Sequence, residues 1–254
     1  MFAATDTSGV LHDSAERAIG RQDLGAVKRI LKRCVQLDRT DARAWELYGH
    51  VHYDGGNFPL AVAAFERAAQ FTPLGSSARI ALALSRARLG QINEAECLLT
   101  DLLHEDELTS EQLLRVAMGL NAVEQVSPAI DACRKALRQD ADCAQAYFDL
   151  GYYSDRAGFP LATVERLTRR ALKVNPGNPR YRIGLACLLV RNEELDEAWR
   201  VIRDLGLTDI SAVSCACCLE KLLALYRRAD DQRRLIVCHQ RLVELRLRGC
   251  GFAC

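Results

Sequence analysis

Apolar and small residues recur at three- and four-residue intervals along most of the chain, which is the spacing of one face of an α-helix. Two such faces follow each other within residues 42–75, the first formed by Trp45, Tyr48, Gly49 and His52 and the second by Ala61, Phe65 and Ala68. Gly56 lies between them, at the place of a turn. The pattern predicts two antiparallel helices that approach closely at their small residues, while Trp45 and Phe65 fill the space between them.

A single helical hairpin cannot bury its apolar face alone, so the pattern should repeat along the chain. A shift of 34 residues from Ala61 reaches Ala95 and then Ala129. The same shift from Gly56 reaches Gly90. This register predicts seven repeats, at residues 8–41, 42–75, 76–109, 110–143, 144–178, 179–212 and 213–249. The fifth repeat needs one extra residue, in its second helix or in its turn, and its pattern residues are Tyr147, Leu150, Gly151, Gly158, Ala162, Leu167, Ala171 and Pro176.

Residues 42–75 resemble one tetratricopeptide repeat, and the resemblance is carried by Trp45, Tyr48, Gly49, Gly56, Ala61, Phe65, Ala68 and Pro73. The family usually has leucine where Tyr48 stands and tyrosine where His52 stands. The resemblance implies an all-α fold, namely a right-handed α-solenoid superhelix of helix-turn-helix hairpins with about fourteen helices. We expect a single solenoid over residues 8–249, with flexible tails at residues 1–7 and 250–254.

Composition and charge narrow the range of partners. Of the 254 residues, 49% are hydrophobic and 26% are charged, which is typical of a folded, soluble chain. The net charge of +1 argues against general attraction to nucleic acid or to anionic membranes. No stretch approaches about 18 uninterrupted apolar residues, and the first residues lack the pattern of a secretory signal. We therefore expect no membrane span and a cytoplasmic location.

Motifs for catalysis or cofactor binding do not occur in the sequence. It contains no His-Glu-x-x-His pattern and no glycine-rich phosphate loop, and none of its five histidines belongs to such a motif. We therefore predict that the protein is not an enzyme and has no catalytic residues and no cofactor.

Eleven cysteines are numerous for a cytoplasmic protein, but several fall at helix-packing positions, where a free thiol acts as a small apolar residue. The exception is a cluster near the C-terminus, which comprises Cys215, Cys217, Cys218, Cys238, Cys250 and Cys254. Cys215 and Cys218 form a Cys-x-x-Cys pair, but a four-ligand zinc site needs a second pair, and Cys250 with Cys254 matches only loosely. We predict helix packing and no metal site, with structural zinc as the alternative.

The resemblance implies that the first helix of each repeat lines a concave groove, chiefly through the residues that follow the Trp45-like and Gly49-like positions. In repeats three to six these positions are apolar and form what we call the inner row: Ile80, Leu84, Leu114, Met118, Phe148, Tyr152, Ile183 and Cys187. Arg156 and Arg191 are expected at its rim. A contiguous exposed apolar patch often marks a binding site, so the inner row and the two arginines are the predicted partner-binding groove. The alternative is that the inner row buries itself between adjacent first helices.

These features predict a non-enzymatic scaffold, adaptor or co-chaperone that binds an apolar or amphipathic segment of a partner protein. One alternative is RNA or polyanion binding through the last repeat, whose arginines are Arg227, Arg228, Arg233, Arg234, Arg241, Arg246 and Arg248. The apolar inner row argues against nucleic acid, because helical repeats that read single-stranded RNA carry polar residues there. Another alternative is a regulatory module of a separate enzyme, and homo-oligomerisation is left open.

Overall fold

A computed structural model describes Ser14 and residues 23–247. Residues 23–247 contain no β-strand and fourteen α-helices: α1 (Leu24–Leu37), α2 (Ala42–Asp54), α3 (Phe58–Ala69), α4 (Ser76–Arg88), α5 (Ile92–Leu103), α6 (Ser110–Ala122), α7 (Val126–Gln139), α8 (Ala144–Arg156), α9 (Leu161–Val174), α10 (Pro179–Arg191), α11 (Leu195–Ile202), α12 (Leu207–Ser211), α13 (Ala216–Arg228) and α14 (Gln232–Leu247).

Helices that follow each other along the chain pair into hairpins, namely α2–α3, α4–α5, α6–α7, α8–α9, α10–α11 and α13–α14. This confirms the all-α solenoid of helix-turn-helix hairpins. Helix α1 is the second helix of the first predicted repeat, whose first helix, apart from Ser14, lies outside the described residues. The predicted tails at residues 1–7 and 250–254 lie outside them as well.

The chain divides into two compact units, and the division falls between Lys135 and Ala136, inside α7. In the N-terminal unit, Phe65 and the alanines of α3 pack with α4. In the C-terminal unit, a larger cluster of buried side chains from α10, α11, α13 and α14 includes Leu185, Ile202 and Tyr226. The single solenoid over residues 8–249 concerns both units together and stays a prediction.

The α2–α3 hairpin packs as its small residues predict. Ala61 and Ala68 are fully buried, and a Cβ atom built on Gly49 would lie 2.7 Å from the ring of Phe65, which is itself fully buried. Trp45 was expected to fill the same core, and this expectation is wrong. Its side chain is partly exposed and packs against Cys34 and Val35 of α1, and its indole N–H donates a hydrogen bond to the Arg39 carbonyl at 3.0 Å.

All six hairpin turns within residues 23–247 contain one residue in the left-handed conformation, and these residues are Gly56, Gly90, Glu124, Gly158, Glu193 and Asp230. In each turn the next residue donates its N–H to the carbonyl five positions earlier, as Asn57 does to His52 at 2.8 Å and Gln125 to Leu120 at 2.8 Å. This hydrogen bond closes the C-terminal end of the first helix. The turn geometry is therefore the same whether or not glycine is present.

The extra residue of the fifth repeat lies in the turn between α8 and α9, at residues 157–160, so α9 is shifted by one position relative to the predicted pattern. The buried residues of α9 are consequently Val164, Thr168 and Ala171. Two of the predicted core residues are wrong for this reason, since Ala162 is exposed and Leu167 is only partly buried. Thr168 takes the place that Phe65 has in the second repeat.

The last two hairpins are separated by a short helix that the repeat pattern does not predict. Helix α11 has only eight residues, and α12 follows it with Ile210 fully buried. Helix α14 holds this segment from both sides, because Arg234 donates to the Leu205 carbonyl and Arg241 to the Val213 carbonyl, both at 2.9 Å. The hairpins α10–α11 and α13–α14 therefore do not follow each other directly. The predicted boundary between repeats six and seven falls in the segment that connects them.

Candidate interaction surface

The inner row is only partly exposed. Four of its side chains were expected at the surface and are buried instead, so this expectation is wrong for Ile80, Leu84, Ile183 and Cys187. Leu114 and Phe148 are partly buried. Met118 on α6 and Tyr152 on α8 are the exposed members, with 47% and 44% of their surface accessible.

Burial of the inner row comes from close approach between consecutive first helices. A Cβ atom built on Gly119 of α6 would lie 2.8 Å from the Leu84 side chain of α4. The same arrangement occurs in the C-terminal unit, where a Cβ on Gly184 of α10 would lie 2.6 Å from the ring of Phe148 on α8. Glycines on the next first helix thus receive these side chains, which is the alternative that the sequence left open.

Phe148 belongs to a cluster of aromatic and polar side chains between α8 and α10. Its ring lies 4.9 Å from that of Tyr181, centroid to centroid, and the Arg180 guanidinium lies 5.0 Å from the Phe148 centroid. The Tyr181 hydroxyl donates to the Gln145 side-chain carbonyl at 3.0 Å, and the Gln145 amide donates to Asp149 at 2.7 Å. These contacts hold the Phe148 ring in one orientation and leave part of it exposed.

Asp149 is the acidic group of this cluster. Burial raises the pKa of its carboxyl group, while the Gln145 hydrogen bond and the Arg180 charge, 3.8 Å away, act in the opposite direction. Arg180 remains largely exposed, with 64% of its side-chain surface accessible. One positive charge therefore lies at the surface beside the Phe148 ring, while its carboxylate partner lies below.

Tyr152 and Arg156 follow Phe148 along α8 at four-residue intervals and are both exposed. We call Phe148, Tyr152, Arg156 and Arg180 the α8 surface. Arg191, which was expected at the rim, makes two hydrogen bonds to Asp155, at 2.6 and 3.0 Å. Its charge is therefore paired within the protein and is less available to a partner than the sequence predicts.

The N-terminal unit exposes a smaller apolar area on α6, formed by Met118 with the partly buried Leu114. Arg115, between them, lies with its guanidinium 5.7 Å from the ring of Tyr53 on α2. The His50 ring on α2 packs edge-on against Phe65 at a centroid distance of 5.1 Å, and burial lowers the pKa of its imidazole. This side chain is thus partly a core residue.

Comparison with known proteins agrees with this geometry. The sequence pattern of the tetratricopeptide repeat family matches residues 24–76. A tetratricopeptide repeat protein from Parabacteroides merdae has a similar structure, with a TM-score of 0.72 and 14% identity over 94% of this chain and 93% of that one. Residues 24–76 therefore match one tetratricopeptide-repeat model, and the chain shares the fold of a tetratricopeptide repeat protein. No curated protein sequence is significantly similar to it.

Two other solved structures match about two thirds of this chain. MamA from Desulfovibrio magneticus superposes with a TM-score of 0.60 and 16% identity, covering 68% of this chain and 97% of its own. YrrB, described as a tetratricopeptide repeat protein with an unusual peptide-binding site, superposes with a TM-score of 0.54 and 14% identity, covering 68% and 93%. At these identities the likeness concerns the fold alone.

The arginines of the last repeat are mostly engaged within the protein. Carboxylate partners are present for Arg228, Arg234, Arg241 and Arg246. Over the described part of the chain, no three His, Cys, Asp or Glu side chains are grouped so that they could hold a metal ion. In the same part, no helix is both long and apolar enough to cross a membrane.

Proposed function

We propose that this tetratricopeptide repeat protein is a non-enzymatic interaction scaffold and that the α8 surface binds an amphipathic segment of a partner protein. The observation that supports this most is the exposure of Tyr152, which keeps 44% of its surface accessible, while the other inner-row side chains of the C-terminal unit are partly or fully buried. Tyrosine and arginine are the residue types that contribute most to binding energy in protein interfaces. The α8 surface presents both on rigid helices.

The chemistry of the α8 surface suggests what the partner segment contains. Apolar side chains of the segment would cover Tyr152 and the exposed part of Phe148, and acidic side chains would meet Arg156 and Arg180. Little ordering is needed on this side of the interface, since the contacts with Tyr181 and Gln145 already hold the Phe148 cluster. Met118 and Leu114 are a second, smaller candidate contact in the N-terminal unit.

Polyanion binding is less well supported, because the carboxylates that pair with the arginines of the last repeat would compete with phosphate. The regulatory module of a separate enzyme stays an alternative, and it would use the same surface. The cytoplasmic location also stays a prediction.

The experiment uses one exposed inner-row residue and one matched control. Tyr152→Ser removes the central aromatic ring of the α8 surface, while Leu60→Ser removes an equally exposed side chain, 44% accessible, from α3. A partner identified with the unchanged protein by affinity capture and mass spectrometry is then titrated against all three proteins. Loss of a well-buried aromatic contact should weaken binding by about tenfold or more for Tyr152→Ser and leave Leu60→Ser unchanged.

Circular dichroism shows whether both variants keep their helix content. If Tyr152→Ser folds and binds its partner with unchanged affinity, the α8 surface is not the binding site. If the captured partners are released by ribonuclease, the polyanion alternative is correct instead.

A further inference from the structure

The last hairpin, α13–α14, has an exposed apolar face. A shallow groove between its two helices, which we call the end groove, is lined by Leu223, Arg227, Leu235, Ile236, His239 and Gln240. Ile236 keeps 56% of its surface accessible, and Val243 and Leu247, which follow it on the same side of α14, are exposed as well. Because the outer face of a terminal repeat is normally polar, these apolar side chains indicate a contact surface.

The α2–α3 hairpin shows what covers this face elsewhere in the chain. Helix α4 packs on both α2 and α3. The side chains that meet there are Tyr53 of α2, Val62 and Phe65 of α3, and Ala78, Ala81 and Leu82 of α4. The contact residues of α4 are thus small or apolar and lie at three- and four-residue spacing, and they leave Val62 only 8% accessible.

The end groove lies at the matching positions of the last hairpin. Gly56 and Asp230 are the left-handed residues of the two turns, so the residues of α13–α14 can be matched to those of α2–α3 from these two points. Ile236 then takes the place of Val62. The places of Tyr53 and Phe65 are taken by two other residues of the end groove, Arg227 and His239. The end groove therefore consists of positions on which, in α2–α3, another helix packs.

Charge distinguishes the end groove from the α2–α3 surface. On α2–α3, the Arg86 guanidinium of α4 donates a hydrogen bond to the Glu66 carboxylate of α3 at 2.8 Å. In the end groove Gln240 replaces Glu66, and Arg227 replaces the uncharged Tyr53. No carboxylate of the described residues pairs with Arg227. A helix in the end groove therefore meets an unpaired positive charge and no negative charge.

We propose that the end groove binds one amphipathic α-helix of a partner protein, which packs on α13–α14 as α4 packs on α2–α3. The contact face of this helix carries small and apolar side chains at three- and four-residue spacing, and these cover Ile236 and Leu223. An acidic side chain stands where α4 has Arg86, because it meets Arg227 and not a carboxylate. The end groove and the α8 surface lie on different helices, so neither proposal depends on the other.

The test uses two synthetic peptides with the sequence of α4, each held helical by a hydrocarbon staple on the side opposite its contact residues. The acidic peptide has glutamate in place of Arg86, and the control peptide keeps the arginine. Circular dichroism checks that both are helical, since a peptide of 13 residues is a marginal helix by itself. In fluorescence anisotropy titrations with the full chain, the acidic peptide should bind about threefold more tightly than the control, and salt at about 1 M should remove the difference.

Two variants of the protein locate the bound peptide. Ile236→Ser removes the main apolar contact of the end groove and should weaken binding of the acidic peptide by about fivefold or more. Leu37→Ser on α1 is the matched control, because Leu37 is 59% accessible, and it should bind like the unchanged protein. Arg227→Glu should reverse the preference, so that the control peptide binds more tightly than the acidic one.

Four results would overturn the proposal. One is that neither peptide binds the full chain, and another is that Ile236→Ser and Arg227→Glu bind both peptides like the unchanged protein. A dimer that is seen by sedimentation and that Ile236→Ser dissociates would identify a second copy of the chain as the occupant. Binding that appears only after residues 248–254 are removed would identify that segment as the occupant.

Discussion

The hairpins α2–α3 and α8–α9 carry the same pattern glycine three repeats apart, but they pack it differently. A Cβ atom on Gly49 would lie 2.7 Å from the Phe65 ring, whereas a Cβ on Gly151 would lie 3.3 Å from the Thr168 hydroxyl oxygen. Phe65 fills its hairpin with an aromatic ring, while Thr168 fills the same place with a small side chain whose hydroxyl donates to the Val164 carbonyl at 3.0 Å. The side chain opposite the pattern glycine is therefore large in one hairpin and small in the other.

The cause of the difference is a single residue in a turn. The connection at residues 157–160 is one residue longer than that at residues 55–57, so α9 places Thr168 nearest to Gly151 on the first helix, with the Cβ of Leu167 beside it. The repeat geometry is kept, and only the identity of the packed side chain changes. A pattern glycine thus indicates where two helices approach each other, but its energetic importance depends on the residue opposite.

The largest expected effect is on the side chain opposite the glycine. Phe65→Ala should lower the free energy of unfolding by about 3–5 kcal/mol, because it leaves a cavity of aromatic size in the α2–α3 hairpin. Thr168→Ala should cost about 1 kcal/mol, since a smaller volume and one hydrogen bond within its own helix are lost. Urea denaturation followed by circular dichroism measures both. Trp45→Ala, which the sequence pattern equates with Phe65→Ala, should cost less because Trp45 is partly exposed; equal losses for Trp45 and Phe65 would contradict the packing described.

The next largest effect is expected for substitutions of the two glycines, which should destabilise the protein to different extents. Gly49→Ala should destabilise the protein by about 1–3 kcal/mol, because the methyl group overlaps the Phe65 ring, which cannot move without displacing its neighbours. Gly151→Ala should change stability by less than about 1 kcal/mol, since the near contact with Thr168 is offset by the better helix propensity of alanine. Thermal unfolding of the two variants side by side decides the question. Equal destabilisation would mean that the hairpins pack their glycines alike.

The smallest expected effect is on the pH dependence of stability. The α2–α3 hairpin should contribute to it through His52, whereas the α8–α9 hairpin has no histidine at the corresponding position. The buried His52 corresponds to the buried Ser154 in the α8–α9 hairpin, and neither ring nitrogen of His52 has a hydrogen-bond partner. Burial, assisted by the Lys28 charge, lowers the pKa of His52 below its ordinary value of 6.5. The imidazole is therefore neutral in the folded protein, and protonation favours the unfolded chain.

The sign of this effect follows from linkage. The stability that neutral His52 contributes is complete above pH 6.5 and is lost as the pH falls from there toward the lower pKa of the folded state. Thermal midpoints measured between pH 8 and pH 5 should fall for the unchanged protein and fall less for His52→Ser. His50→Gln is the control, because the pKa of His50 is also lowered by burial and contributes a separate part of the slope. Identical slopes for His52→Ser and the unchanged protein would exclude a contribution from His52.

Much of this fold could be predicted from spacing alone. The places of helices and turns follow from three- and four-residue periodicity and from a 34-residue shift, and Ala61, Ala95 and Ala129 are all fully buried. The shifted register of α9 could not be predicted, because the repeat length shows that one residue is inserted but not whether it lies in the turn or in the helix. Helix α12 interrupts the repeat and so has no counterpart from which to infer it.

The candidate site was harder to predict than the fold. Residue type marks the inner row as apolar, but whether Leu84 is exposed depends on Gly119, which lies 35 positions further on a different helix. The hydrogen bond between Tyr181 and Gln145 joins residues 36 positions apart and corresponds to no pattern within one repeat. Whether a side chain is exposed in a repeat protein depends on how the neighbouring repeat packs against it. The pattern within one repeat therefore predicts the positions of the inner row but not which of its side chains are accessible.

The short left-handed turns have a consequence for how the chain reaches this structure. Each turn connects its two helices through three or four residues, so closing a hairpin requires only a small loss of chain entropy. Contacts between residues close in sequence form faster than contacts that close large loops, and helical proteins dominated by them fold in microseconds to milliseconds. Folding of either unit can begin at any one of its hairpins and spread to the adjacent ones.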